Sequence, residues 1–231
     1  MSRALLSVQN LGVALAGTGE VLTPAVSFTL EAGGALALVG DSGCGKTLCV
    51  HALLGLLNHR SFCVSGRALL AGQDLLGLPE REMRKLRGGR MALIPQNPMT
   101  AFDPSTRIGA QISETLRAHR RVSRSGARAL GAKALCALGL PVEAMKAYPH
   151  TLSGGMLQRI AIAIALTLEP ELIIADEATT ALDVINRKIV LDELLKLKRR
   201  GAALLLITHH EGEAEYCGCE TIRVGGAGNE D

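Results

Sequence analysis

The spacing of apolar and polar positions divides this chain into short strands and longer helical stretches. Ala25-Val26-Ser27-Phe28-Thr29-Leu30 alternates residue by residue, the pattern of a half-buried strand. After the Gly33-Gly34 turn, Ala35 to Val39 is apolar throughout and predicts a strand buried on both faces. From Leu48 to Leu57 the apolar positions fall on a helical period. Val64 to Leu70 predicts another strand, with a loop over 71–74 behind it. Met91 to Ile94 predicts a short buried strand ended by Pro95-Gln96-Asn97-Pro98, whose two prolines leave Gln96 on a loop. Residues 107–146 are rich in Ala, Leu and Arg at helical spacing and close at Gly139-Leu140-Pro141. A helix over 156–168 follows, with Ser153 as its N-cap and Glu169-Pro170 at its end. Leu172 to Ala175 predicts a buried strand, a helix follows Asp183 to about residue 199, and Ala203 to Ile207 predicts a strand leading into Thr208-His209. A last strand is expected over 220–224.

Strands that alternate with helices imply an α/β fold with a mainly parallel sheet, which binds ligands at the C-terminal ends of its strands. Polar features stand at those ends. Lys46 follows strand 35–39, Asp176 and Glu177 follow 172–175, and His209 follows 203–207. The stretch Gly40-Asp41-Ser42-Gly43-Cys44-Gly45-Lys46-Thr47 satisfies G-x-x-x-x-G-K-[ST] between a strand and a helix. Its glycines let backbone N–H groups turn inward on an anion, and the positive end of the following helix favours the same charge. Lys46 would reach the β- and γ-phosphates of a nucleotide, and Thr47 would place its hydroxyl on Mg²⁺. An apolar strand ending in Asp176 suits Mg²⁺ held through its hydration shell, and Glu177 is placed to accept a proton from an attacking water.

Composition narrows the field. Of 231 residues, 48% are hydrophobic and 20% charged, so a packed core of one large domain is expected. Aromatic residues are 2%, with no Trp, which leaves Leu, Ile, Val and Ala to build that core. A formal net charge of +3 is too small for a nucleic-acid surface, and the one dense basic run, Arg120, Arg121, Arg124 and Arg128, reads as a solvated helix face. Six cysteines at 44, 49, 63, 136, 217 and 219 show no C-x-x-C framework and suggest free thiols in a reducing cytosol. The N-terminal residues lack the apolar core of a signal peptide, and no apolar run approaches the ~18 residues of a membrane span, so a membrane role is expected to come through a partner.

Taken together, these residues resemble the ATP-binding subunit of ABC transporters. Residues 40–47 look like the family's Walker A, and Leu172 to Glu177 like its Walker B with the catalytic Glu. Gln96 matches the Q-loop, Leu152-Ser153-Gly154-Gly155-Met156 the signature, Ala181-Leu182-Asp183 the D-loop, and His209 the switch histidine. The resemblance implies a P-loop NTPase core with N-terminal antiparallel β strands and an inserted α-helical subdomain. In that scheme 1–96 and 153–231 form the core and 97–152 the helical insertion of a single ABC ATPase domain. It also implies head-to-tail pairing, each ATP held by one partner's phosphate loop and by Ser153, Gly154 and Gly155 of the other. Lys46, Glu177 and His209 would act in hydrolysis, and Asp183 would contribute to the nucleotide site. Thr47, Gln96 and Asp176 would serve Mg²⁺, with Gln96 linking the site to the membrane partner. Partners implied are two transmembrane permease subunits, a second homologous ATPase subunit forming a heterodimer, and indirectly a substrate-binding protein, with no nucleic acid. The implied location is peripheral, on the cytoplasmic face of the inner or plasma membrane.

A narrower resemblance rests on Gln96 to Pro104, Ser153 to Arg159 and Ile174 to Val184, which look like the oligopeptide, dipeptide and nickel importer class. Met156 is similar to the first ATPase of the pair. The chain length is nearer the nickel subunit than the peptide subunits, whose C-terminal extension is longer and cysteine-containing. Nickel or another metal chelate is therefore the expected cargo, with oligopeptide or dipeptide as the alternative. Three departures stand out. Val13-Ala14-Leu15-Ala16 lacks the aromatic that stacks on adenine in the family, so base binding is expected to be weaker or purely apolar. Ala178 stands where the family usually has Pro, which is expected to loosen the turn after Glu177. The chain stops at Asp231 where the family continues, which suggests a shortened product. His209, His210, Glu211, Glu213, Cys217 and Cys219 are metal-capable but lack ligand spacing, so no structural metal is expected there. Chromosome and repair ATPases carry a long coiled coil between phosphate loop and signature, and 48–151 has no sustained heptads. Translation-type members join two ATPase domains, and one is present here. A nucleotide-gated, non-catalytic subunit is disfavoured by Lys46, Asp176, Glu177 and His209.

Overall fold

The computed structural model describes residues 4–41 and 43–225. Contacts within the chain gather into two units, 1–87 with 203–231 and 88–202. In the first, β1 (Ala4–Leu15) and β2 (Val21–Glu31) pair antiparallel, with Leu6 opposite Leu30 and Val8 opposite Phe28. β4 (Phe62–Leu70) pairs antiparallel on the other edge of β1, placing Leu70 opposite Leu6 and Ala68 opposite Val8. Val26, Phe28 and Leu30 are buried while Ser27 and Thr29 are exposed, as the alternation predicts. The strand outgrows the predicted 25–30 because pairing with β1 extends regular structure to Val21 and Glu31.

β3 (Ala35–Val39) is buried at every position and pairs parallel on both sides, with β8 (Ala203–Thr208) and with β9 (Glu220–Arg223). A strand covered in this way has no face for polar residues, which explains its unbroken apolar run. It feeds α1 (Lys46–Leu53), which starts two residues before the expected 48–57 helix and stops at a left-handed Gly55. The expected loop at 71–74 instead closes a tight hairpin. Ala71 and Gly72 adopt positive φ, and β5 (Gln73–Asp74) returns against Leu69 and Leu70. α2 (Glu80–Leu86) was absent from the predicted elements, although Glu80 and Glu82 in its first turn and Arg84 and Lys85 in its last complement the helix dipole.

In the second unit, β6 (Met91–Ile94) pairs parallel with β7 (Leu172–Asp176), Met91 opposite Leu172 and Ile94 opposite Ala175. The helical stretch 107–146 resolves into α3 (Ile108–His119), α4 (Arg124–Ala137) and a 3₁₀ turn at Val142–Lys146. The break falls where Arg120 is extended and Ser123 caps α4, its hydroxyl accepting the Gly126 N–H at 3.0 Å. α5 (Gly154–Leu168) and α6 (Val184–Arg199) complete the unit, and α7 (Glu211–Tyr216) belongs to the first. Among the described residues no helix is long and apolar enough to cross a membrane.

The start of the β6–β7 pair is pinned twice. The Arg90 carbonyl accepts the N–H groups of Glu171 and Leu172 at 2.9 and 3.0 Å. The Arg90 guanidinium also forks onto the Glu171 carboxylate with two bonds of 2.7 Å. The Arg90 hydrogen bonds hold the Glu171 carboxyl below the usual carboxylate range. A depressed carboxylate stabilises the fold above its unfolded pKa, about 4.3 for Glu, and that contribution is lost as pH falls through the folded value. Both side chains are partly solvated, so screening limits the pair to about 0.5–1 kcal/mol. Glu171→Gln should therefore lower the urea midpoint at pH 7, and the difference from the parent should close below about pH 4. A difference that persists unchanged at pH 3.5 (a value set by the same window) would assign the loss to packing instead.

Candidate functional site

Each unit carries its own part of the polar machinery. In the first, β3 ends at Val39 and the chain curls through Gly40 to Gly45 before α1. Gly45 precedes the helix at φ 92°, a left-handed conformation that glycine adopts at least cost. A Cβ there would also lie 2.3 Å from Thr23 Cγ2 of β2, so both strain and space require glycine. Gly40 is closed off in the same way, since its Cβ would meet the Val224 carbonyl oxygen at 2.2 Å. Lys46 is 4% exposed, and its ammonium donates to the carbonyls of Gly40 and Asp41, each at 2.7 Å. Neutral carbonyls satisfy its N–H donors without supplying a counter-charge, so an anion in the loop is favoured. Thr47 follows on α1, whose first-turn N–H groups have no partner within the helix. Ser42 lies outside the described residues.

At the end of β8, Thr208 is buried and its hydroxyl donates to Glu213 at 3.0 Å, while accepting the His210 N–H at 2.9 Å. This fixes the turn carrying His209, which is exposed and lies with its ring centroid 4.0 Å from that of His210. Val13, in the stretch lacking an aromatic, is 2% exposed and donates its N–H to Thr23, so it is core rather than a platform for a base.

In the second unit, β7 ends in Asp176, 2% exposed, and Glu177. Glu177 has φ 43°, a left-handed conformation rare outside glycine and typical of strained functional positions. Its carboxylate accepts the Gln96 side-chain amide at 2.8 Å, so the loops after β6 and β7 meet through these two residues. The turn around Ala178 is closed by Thr180 N–H on the Glu177 carbonyl and Leu182 N–H on the Thr179 carbonyl. Ser153 caps α5 as expected, its hydroxyl accepting the Met156 N–H at 3.2 Å, and Ser153 and Gly154 are exposed. Gly155 approaches the 181–182 segment, where an added Cβ would come within 3.4 Å of Leu182. Asp183 caps α6, and the Asn186 backbone and side-chain amides, at 2.9 and 2.6 Å, hold its carboxyl below the usual range.

Sequence reasoning assigned no role to Gln158. It is 1% exposed on an apolar helix and donates to the Pro95 carbonyl at 2.9 Å, tying α5 to the residue before Gln96. A lone amide among Leu, Ile and Ala was the available signal, because burying it is costly unless it is bonded.

As for the ion implied, the second unit brings the oxygen donors of Gln96 and Asp176 to the ends of β6 and β7, and the first unit carries the Thr47 hydroxyl, all of the hard-ligand type that Mg²⁺ prefers. The left-handed loop with its interior ammonium fits a polyphosphate.

A strand, a glycine loop closed on a buried lysine and a helix define a P-loop nucleotide-binding protein. The chain belongs to the ABC transporter family, whose model matches residues 24–180. It is 42% identical over 214 residues to a dipeptide transport ATP-binding protein of Bacillus subtilis, covering 90% of this chain and 64% of that protein. It is 41% identical to an oligopeptide transport ATP-binding protein of Salmonella typhimurium, covering 91% and 64%, so the chain spans under two thirds of both relatives. A metal-staphylopine import system ATP-binding protein of Staphylococcus aureus is 39% identical, over 89% of this chain and 76% of that one. In fold, the chain is similar to a dimeric ATP-binding cassette in a post-hydrolysis state bound to ADP and Pi, with a TM-score of 0.84 and 23% identity over 95% and 94% of the two chains. The antiparallel N-terminal sheet, the parallel strands and the helices are those of an ABC ATPase.

Gly45→Ala should destabilise the chain by about 1–2 kcal/mol from left-handed strain alone, with crowding against Thr23 in addition. Gly43→Ala, whose Cβ would meet nothing within 4 Å, carries the strain without the clash. Thermal unfolding should therefore rank the parent above Gly43→Ala and Gly43→Ala above Gly45→Ala. Equal midpoints for the two variants would show that the loop yields at Thr23.

Proposed function

We propose that this chain is the ATP-hydrolysing subunit of a binding-protein-dependent ABC importer. The observation that carries the reading is the loop 40–47 folded around the buried Lys46 ammonium. Lys46, Thr47 and the N–H groups of Gly43, Cys44 and Gly45 take the nucleotide phosphates, with Gly40 and Asp41 shaping the turn and Ser42 a further member of the binding loop. Asp176, Gln96 and Thr47 serve Mg²⁺, which when bound neutralises charge developing on the phosphates. Glu177 accepts the proton of the attacking water, and its bond to Gln96 keeps the carboxylate aimed rather than free to rotate. His209 contacts the terminal phosphate. Ser153, Gly154 and Gly155 act on the nucleotide of a second ATPase subunit, and Asp183 orders the segment beside them. Two permease subunits and a substrate-binding protein complete the assembly, with this chain at the cytoplasmic membrane face.

For cargo, the relatives' names divide between dipeptide, oligopeptide and metal-staphylopine transport. They support a small peptide or a metal chelate equally, and nickel is one member of the second class.

Phosphate release by the chain, alone and mixed with the neighbouring ATPase and permease subunits, tests the reading. Glu177→Gln should lower kcat by about 10²–10⁴ while nucleotide affinity changes little. If the full mixture binds ATP but parent and Glu177→Gln release phosphate equally slowly, the chain is a nucleotide-gated scaffold and not a motor.

A further inference from the structure

A cavity of about 490 Å³ opens between α3, α4 and the 3₁₀ turn after them, and it includes none of the nucleotide-site residues above. Its wall carries Arg107 and Arg117 from α3 and its cap, Arg124 and Arg128 from α4, and Lys146 from the turn. One carboxylate, Glu114, faces these five cations, a local excess of four positive charges in a chain whose formal net charge is +3. The remainder of the chain is therefore slightly acidic, and its basic character is concentrated here.

One observation separates this cavity from an evenly neutralised face. Among the described residues none of the five cations is ion-paired. In the smaller cavity between α4, α5 and α6, by contrast, Arg120 pairs with Glu169 and Lys196 with Glu193. There two carboxylates pair with two of the four lining cations, whereas here the single carboxylate, Glu114, pairs with none of the five. Ser113 also lines the cavity, and its hydroxyl is open to the cavity solvent. A hydroxyl that faces the cavity without a protein partner is free to donate to a ligand oxygen there. The five cations are exposed at the rim, so their repulsion is screened by salt, and an anion that enters the concavity gains from all of them at low ionic strength. Four guanidiniums offer planar forks that match phosphate oxygens two at a time.

We propose that this cavity is an anion site for a phosphate-bearing ligand, supplied either as the headgroup of an anionic lipid or as a free phosphate compound. Arg117 and Arg128 grip the phosphate across the two helices, and Ser113 donates from the floor. The solvated run read from Arg124 and Arg128 is thus one wall of a site whose other wall lies on α3.

The test titrates the full chain with inorganic pyrophosphate by calorimetry, with Mg-ADP present in excess to fill the loop 40–47. A parallel arm floats the chain with vesicles of phosphatidylglycerol and phosphatidylcholine, against phosphatidylcholine alone. Arg117→Ala with Arg128→Ala should weaken whichever binding is seen by about ten-fold or more. Arg81→Ala with Arg84→Ala, which removes the same charge from exposed α2, should change it by less than about two-fold. Pyrophosphate binding with this pattern assigns a free phosphate compound, and flotation on phosphatidylglycerol alone assigns a lipid headgroup. Absence of both, or equal weakening in the two double variants while circular dichroism stays unchanged, overturns the proposal.

Discussion

The backbone N–H groups that open α1 have no carbonyl acceptors within their own helix, and much of the first unit is arranged around that fact. To leave them pointing into a concavity, the chain must turn from a fully buried strand into a helix with no side chain filling the turn. β3 provides the rigid entry, paired on one edge by β8 and on the other by β9. The turn is then pressed from two sides, by Thr23 of β2 against Gly45 and by the Val224 carbonyl against Gly40. Val224 is itself held by its N–H on the Val39 carbonyl at 2.8 Å. The loop is thus shaped by contacts from segments distant in sequence, and Lys46 closes it from within.

The second unit uses a different device. Its two strands are clamped at their start by Arg90 and Glu171 and meet at their end through Gln96 and Glu177. The first clamp fixes the register, so that the residues after Ile94 and Asp176 emerge together. Strain at Glu177 persists because the turn behind it is closed by two backbone hydrogen bonds. Gln158 then fastens the same loop to α5 from beneath. Stiffness in this unit is concentrated around the Glu177 carboxylate and the loop that Gln96 carries.

Much of this was legible in the sequence, and the reason is local. β3, β7 and β8 are covered on both faces, so their apolar runs were unbroken, and Ser153 sits where a helix cap is chemically favoured, whereas the capping of α6 by Asp183 emerged from the structure. The phosphate loop was readable because its conformation demands particular residues at fixed spacing. Elements set by tertiary context were harder. The hairpin at Ala71 places a non-glycine residue at positive φ, which its composition does not announce. The division of 107–146 rested on one cap, Ser123, within a continuous helical period. The Arg107–Arg128 cavity was invisible because its members lie on two helices whose facing surfaces no spacing rule connects.

Ser153 and Asp183 also show how two caps with the same local duty differ in what else they can do. Both accept a backbone N–H three residues on, at 3.2 and 2.9 Å. A hydroxyl that accepts keeps its own proton to donate, and the helix behind it presents a positive end. Ser153 can therefore cap α5 and still offer an anion a hydrogen bond. Asp183 is ionised, acceptor-only and further committed to the Asn186 side chain, so a phosphate brought against it would meet repulsion. The exposed Ser153-Gly154 corner thus has the polarity to receive a nucleotide, whereas Asp183 suits holding its own segment in place or receiving a donor group. That asymmetry follows from the hydrogen-bond directions alone, and it makes the start of α5 chemically better suited to an anion than the start of α6.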